Sequence, residues 1–600
     1  MRRIVQVGTA LLLGLTVVTS APVMACVKTD TRYASSSNTL YIEKPVTCTL
    51  TDLAAFLNAT VLELVDSAQR IWLLKANLRI TGGGSLLLHG RAAGGDVDQL
   101  RLLSANNPAR HIRINPRWGI VDIRATHILS WDPAVNGPDT DTSNGRAYIH
   151  AESFLAADGV TARESRMDIV DSEINHLGFD DAVSYGLVWK VVGDVSKIPD
   201  LYDRVNVYGS LIRSKVHHNN MGFYSYGAFA MEISDNVVAF NESYGIDPHD
   251  DSDQLLITRN VVHDNGSHGI ICSRRCDHLT ITDNEVYNSS HGIMLHREVV
   301  DTLVAGNYIH HNRDNGIALL ESHRNTIRDN SVEYNEDGIR LSLGSHGNVI
   351  ENNTVRGNSH NGLYLYQGSD SPETTDGRSK DNLFRNNTVA DNGRLMKVRN
   401  ADRIQFVNNT FVGMTSDIEI YDSTAIDIVG NVDNLVTLEI SSRGAIFGNS
   451  EVRLDTDRDV ATKIDEFGII TLTNPFGRVL DPEEISGEIT IDQEGSTLVV
   501  SYPLTTASSN VSALPLFATT TVGAFTLTNP VTSPATTSWI AITTEARQPV
   551  QFRIAQLMAN TPYNVVRNDV LLAVVASDAS GELSFADLLA PGQFSYKVTK

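Results

Sequence analysis

The sequence predicts an all-β protein, a right-handed parallel β-helix with a C-terminal β-sandwich-like module. Two series of residues carry the first part. Asn236, Asn260, Asn284, Asn307, Asn330 and Asn353 recur every 23 or 24 residues, and Gly222, Gly245, Gly269, Gly292, Gly316, Gly338 and Gly362 every 22 to 24. Between them the apolar residues alternate over short runs, the period of a strand, whereas helical repeats of this length show a 3.6-residue period over longer ones. Stacked coils lie about 4.8 Å apart, so equivalent turns sit above one another and buried Asn amides can bond from coil to coil. Asn also tolerates the left-handed backbone of a sharp corner. The second part rests on a tail poor in charge, with strand-like runs at Tyr563 to Arg567, Val570 to Ser577, Glu582 to Leu589 and Gln593 to Lys600 separated by turn residues.

In chain order, residues 1–25 read as a signal peptide. Arg2 and Arg3 precede the apolar run Ala10 to Val18, and small residues lead to Val23-Met24-Ala25. The mature protein is therefore expected to be exported, to the periplasm or beyond. A cut after Ala25 would expose Cys26 as a possible lipid anchor, although Met24 fits that acceptor motif poorly. A disulfide from Cys26 to Cys48 is the other use of the same sulfur. No other stretch reaches the roughly 18 apolar residues of a spanning helix, so no transmembrane span is expected.

Residues 26–140 read as an N-terminal region with the first coils, at Arg70 to His89 and Arg101 to Asp132. Residues 141–480 carry the main repeat, with a second Asn series at Asn241, Asn265, Asn288, Asn312, Asn335 and Asn358. A polar insertion from Gln367 to Lys380 interrupts it before Asn387 and Asn409 resume. Residues 485–600 form the C-terminal module. Cys272 and Cys276 are spaced to close a small loop; a zinc site needs four ligands and finds two there.

Net charge constrains the partner. Lys and Arg total 48 against 71 Asp and Glu, a balance of −23. No nucleic acid is expected to bind, since that needs a basic stripe. Any other polyanion requires arginines gathered locally against the global field.

Aligning the third strand of each unit on its glycine finds such a place. Positions one and three after Gly run Phe223, Ile246, Ile270, Ile293, Ile317 and Ser225, Pro248, Cys272, Leu295, Leu319, and point inward. Positions two and four point outward and include Tyr224, Asp247, Arg340, Tyr364 and Tyr226, His249, His296, Tyr366. The next residue out gives Asp250, Arg274, Arg297 and Glu321. Three adjacent coils thus gather Asp247, His249, Asp250, Arg274, His296 and Arg297, with tyrosines to either side. Arginines pair with carboxylates and tyrosine rings offer flat surfaces to sugars. Pro248 fixes the backbone between Asp247 and His249, which marks a shaped site.

The run Tyr244-Gly245-Ile246-Asp247-Pro248-His249-Asp250 resembles the periplasmic mannuronan C-5-epimerase family, which converts mannuronate to guluronate within alginate. The likeness includes Gly222-Phe223-Tyr224, His268-Gly269-Ile270-Ile271-Cys272-Ser273-Arg274, Asp314 to Ser322 and Asp337-Gly338-Ile339-Arg340, and spans roughly residues 140 to 415. It implies that His249 is the proton-abstracting base and Arg274 the cation that neutralises the uronate carboxylate. Arg275 is a further candidate, because the intervening turn is a residue shorter than in the family. Asp247 and Asp250 would orient the imidazole and bind sugar hydroxyls. Asp251 departs from the family pattern, which has arginine there.

The chemistry agrees with these residue types. Removing the C-5 hydrogen of a uronate places charge on the adjacent carboxylate, which a fixed arginine stabilises. Histidine suits the base, and Tyr244 or water can return the proton from the opposite face. Tyr224, Tyr226, Arg275, His296, Arg297, Arg340 and Tyr364 are the candidate substrate contacts. The expected partner is an anionic, alginate-like polyuronate. Loss of the C-4 oxygen from the same intermediate would instead make a lyase, and a β-helix without catalysis would be a carbohydrate-binding protein. No cofactor is expected; Asp250, Asp251 and Asp253 have the chemistry for calcium but suit a solvated turn better.

Overall fold

In a computed structural model, residues 26–412 are described except 105–110 and 182; beyond 412 the strands are described without many of their connections, and side chains chiefly from 551 onward. The signal peptide read at residues 1–25 lies outside the described residues. Among the described residues no helix is long and apolar enough to cross a membrane.

Each coil of the central region contributes one strand to each of three long parallel sheets. The sheet that matters for function runs through Met221–Tyr226, Ile246–His249, His268–Ser273, His291–His296, Asn315–Leu320, Asp337–Ser342 and Asn361–Leu365. Its register pairs Phe223 with Ile246, Ile246 with Ile270, Ile270 with Ile293 and Ile293 with Ile317. These four isoleucines and Phe223 are fully buried, part of one apolar core that continues from Cys26 to Ile426. The glycine before each of them is required by close approach. A Cβ at Gly269 would fall 2.3 Å from the Val286 side chain.

The Asn ladder holds the corners. Asn236, Asn260, Asn284, Asn307 and Asn330 each donate from Nδ2 to Oδ1 of the next at 2.8 to 2.9 Å. Left-handed backbone sits elsewhere than expected: it belongs to the residue before each ladder position, Asp235, Arg259, Asp283, Gly306 and Asp329, with φ from 55° to 66°. The second ladder also differs at one rung. Asn288 is itself a left-handed turn residue (φ 54°), and Ser289 takes the buried place, its hydroxyl oxygen accepting from Asn265 N at 3.4 Å. A third ladder at Asn325, Asn348 and Asn382 was not read from the sequence.

Two disulfides close local loops, Cys26–Cys48 and Cys272–Cys276. The first corrects the lipid-anchor reading of Cys26, because a lipid thioether needs the sulfur that Cys48 occupies. Parallel pairing continues to Thr490–Asp492, and from Leu498–Pro503 onward the pairing is antiparallel. From there two antiparallel sheets form, and Phe552 and Phe585 of one pack with Tyr563 and Tyr596 of the other.

Candidate functional site

The outer face of the functional sheet carries a cleft of about 540 Å³. Its floor is apolar, made by Ile271 and Met294, which pack with Ala318, and Tyr244 and Leu320 lie beside them. His268 and His291 form one rim; His249, His296, Arg274, Arg297 and Glu373 line the other, and Arg340 lies in the column of Met294. Arg274 and Arg297 stand at the corner after their strands, and Arg274 and Arg275 are both left-handed, at φ 77° and 52°. The Cys272–Cys276 disulfide ties that corner, and the two side chains leave it in different directions.

His249 is the most constrained group. Its Nδ1 lies 2.6 Å from Asp250 Oδ2 and 3.0 Å from the Asp250 backbone N–H, so both contacts of this nitrogen are to Asp250. The Tyr226 ring stacks on the imidazole at 5.5 Å and 12°. Asp250 is buried and also receives Arg275 in an ion pair. Burial acts to raise its pKa, but the His249 hydrogen bond and charge, Tyr226 and Arg275 outweigh this and hold it below the ordinary carboxylate value. Pro248 has no N–H, and the Ile246–His249 strand pairs with the next coil only at Ile246–Ile270 and His249–Ser273.

Asp247, opposite Tyr224 in the register, is fully buried, and neither carboxyl oxygen completes a hydrogen bond. Burial pushes its pKa up to about 7, against the opposing influence of His249 and Ser273. It is therefore not part of the cleft lining. Tyr244 does line the cleft, and burial with the nearby Asp247 raises its pKa, so it stays a protonated donor.

Several expected contacts are placed differently. Tyr224 is 8% exposed and packs against Tyr185 at 5.0 Å, while Tyr226 lies between Tyr202 and His249. Tyr185 meets the Tyr224 ring edge-on and Tyr226 stacks on His249, so both tyrosines pack against the histidine. Tyr364 stacks on Tyr366 at 4.5 Å, outside the cleft lining. Arg275 turns away to Asp250 and Asp251, so the acidic residue that departs from the family pattern is paired within the protein. Arg274, His296, Arg297 and Arg340 do line the cleft. Among the described residues no group of three or more His, Cys, Asp or Glu side chains is placed to hold a metal.

Three groups lie outside the sequence reading and a fourth is placed differently by it. His268 and His291, their rings 4.5 Å apart, precede the repeat glycines, where strict alternation assigns an inward direction. Burial lowers their pKa to about 3 and about 4, so both are neutral. Glu373 comes from the polar insertion, 99 residues from Arg274, and no periodicity reaches it. Glu321 was read as outward but is fully buried.

A model of the right-handed β-helix region matches residues 159–296 and 249–411. Mannuronan C5-epimerase of Pseudomonas putida is 29% identical over 201 residues, 32% of this chain and 37% of that protein. Mannuronan C5-epimerase AlgG of Azotobacter vinelandii is 32% identical over 179 residues, 28% of this chain and 31% of that one. The central coils are similar in sequence to the mannuronan C5-epimerases. The matched stretch spans only about a third of those relatives. A crystal structure of the periplasmic alginate epimerase AlgG superposes with a TM-score of 0.52 at 22% identity, over 63% of this chain and 84% of that one. That likeness to an epimerase establishes the fold, a right-handed parallel β-helix.

Proposed function

We propose that this protein is an exported C-5-epimerase of polymeric uronate, with mannuronate in alginate as the substrate. The observation that carries the reading is the Asp250-held His249 in the same cleft as Arg274. Nε2 of His249 takes the C-5 hydrogen as a proton, and the electron pair left behind delocalises into the carboxylate, where Arg274 and Arg297 stabilise the added charge. Tyr244 donates a proton to the other face of C-5, and solvent reprotonates the tyrosine and deprotonates His249. The apolar floor suits the C–H face of a sugar ring, and neutral His268 and His291 can bond its hydroxyls. Relatedness to mannuronan C5-epimerases over the central coils supports the substrate class.

The test is polymannuronate incubated with the protein in heavy water and followed by NMR. The expected result is guluronate carrying deuterium at C-5 with chain length unchanged. Formation of an unsaturated, absorbing end group would assign a lyase, and no change in the polymer would leave a binding protein.

A further inference from the structure

The polar insertion after Asn361–Leu365 does not project into solvent. It folds back over the preceding strand ends and crosses four coils, about 19 Å at roughly 4.8 Å per coil. There the Glu373 carboxylate meets Arg274 Nη2 at 2.5 and 2.6 Å and Arg297 Nη1 at 3.1 Å. Arg297 also donates to the Ser371 carbonyl at 3.4 Å.

Glu321 anchors this strap. Its carboxylate accepts the backbone N–H groups of Glu373 at 2.7 Å, Thr374 at 2.6 Å and Thr375 at 3.1 Å. Burial acts to raise the Glu321 pKa, but these three donors outweigh it and hold the group ionised. Thr375 Oγ1 adds a bond to the Leu343 carbonyl at 2.9 Å. The tip differs from the anchor. The Glu321 side chain is 0% exposed, whereas those of Glu373 and Arg274 are 41% and 40% exposed. The strap backbone is held in place while its terminal carboxylate is open to exchange.

We propose that Glu373 is the resident occupant of a carboxylate subsite formed by Arg274 and Arg297, and that a uronate carboxylate of the polymer replaces it there. This rests on the cleft being a uronate site. Arg274 and Arg297 stand on successive coils beside His249, and they already hold one carboxylate between them. Exchange of one carboxylate for another keeps the number of ion pairs constant, so binding is weaker than free arginines would give. Salt screens the internal pair and the incoming pair alike, so the salt dependence of binding is shallow. A neutral glycan that displaced Glu373 would break a pair and restore none. Glu373 is thus a specificity-determining residue that tunes affinity without touching the reacting carbon.

Calorimetric binding of a defined oligomannuronate to the full chain tests this, comparing wild type with Glu373→Gln at low and high salt. Removing the internal competitor should tighten binding by roughly two- to fivefold at low salt, the scale of an exposed ion pair, and steepen its salt dependence. Arg274→Ala in the same background should cancel the gain. Equal or weaker binding by Glu373→Gln at unchanged melting temperature would overturn the proposal and leave Glu373 a brace. If the melting temperature falls, Glu373→Asp decides, since it keeps the charge and shortens the reach. A gain smaller than that of Gln supports competition, and no gain in either variant refutes it. Turnover is not needed for this measurement. Tighter binding by Glu373→Gln without wild-type turnover would remove the epimerase reading alone, turnover with unchanged affinity would remove this one alone, and failure of both proteins to bind would remove both.

Discussion

The Asp250 carboxylate lies 2.6 Å from Nδ1 of His249, and in the proposed reaction this contact leaves Nε2 as the nitrogen that takes the proton. A proton on Nδ1 shared with that carboxylate would leave the free electron pair on Nε2. Asp250→Asn keeps the shape but lets an amide N–H face Nδ1, which favours the tautomer with its proton on Nε2. Turnover should fall roughly 10²- to 10⁴-fold, the range of a lost general base, with KM for polymer little changed. His249→Ala should fall as far, and the double variant no further, because the two act as a unit. Deuterium incorporation at C-5 measures all three.

The neighbouring arginines separate by the groups they meet. Arg274→Ala should lower kcat by about 10²- to 10³-fold, as expected for a lost group that stabilises transition-state charge. Arg275→Ala should act on the pH profile instead. Arg275 helps hold the Asp250 pKa down, so without it Asp250 protonates at higher pH and the acid limb of activity moves upward. An unshifted acid limb in Arg275→Ala would contradict this assignment.

Asp247 couples stability to pH. Its pKa is raised to about 7 by burial, above the roughly 3.9 of an unfolded aspartate. Between these values the native state binds the extra proton, so this group's contribution to stability declines as pH rises through that window and stays low above it. Asp247→Asn should therefore melt higher than wild type at pH 8, with the difference shrinking toward pH 4. Activity should fall in the same variant, a trade of stability against function.

The ladder makes a contrast between two asparagines. Asn307 Oδ1 accepts from both N and Nδ2 of Asn284, each at 2.9 Å, so Asn307→Ala strands two buried donors. It should cost about 2–3 kcal/mol in denaturant unfolding. Asn288 is exposed in a left-handed turn, and Asn288→Gly should change stability by less than about 0.5 kcal/mol.

The repeat was legible because stacking turns one local rule into many copies: Phe223, Ile246 and Ile270 face inward by the same count from glycine, and the register follows that count. His249, Arg274, His296 and Arg297 were found for the same reason. The count fails where geometry is not repeated. It cannot tell that Tyr224 and Tyr226 are covered by Tyr185 and Tyr202 from outside the main repeat, nor which of two consecutive left-handed arginines turns into the cleft. Glu373 is out of reach for a different reason, since its partner lies four coils back and no spacing in the sequence links them. The −23 net charge likewise hid that Arg274 and Arg297 already share a carboxylate of the protein's own.

The ladder bond from Asn353 to Asn387 spans 34 residues, yet at 2.9 Å it matches the bond from Asn330 to Asn353, which spans 23. The scaffold thus registers only that one rung follows another and is blind to the length of chain between them. New turns can be inherited as self-contained appendages. A lineage of such proteins can rewrite what its cleft recognises by lengthening a single corner, while the rungs beneath are copied unchanged.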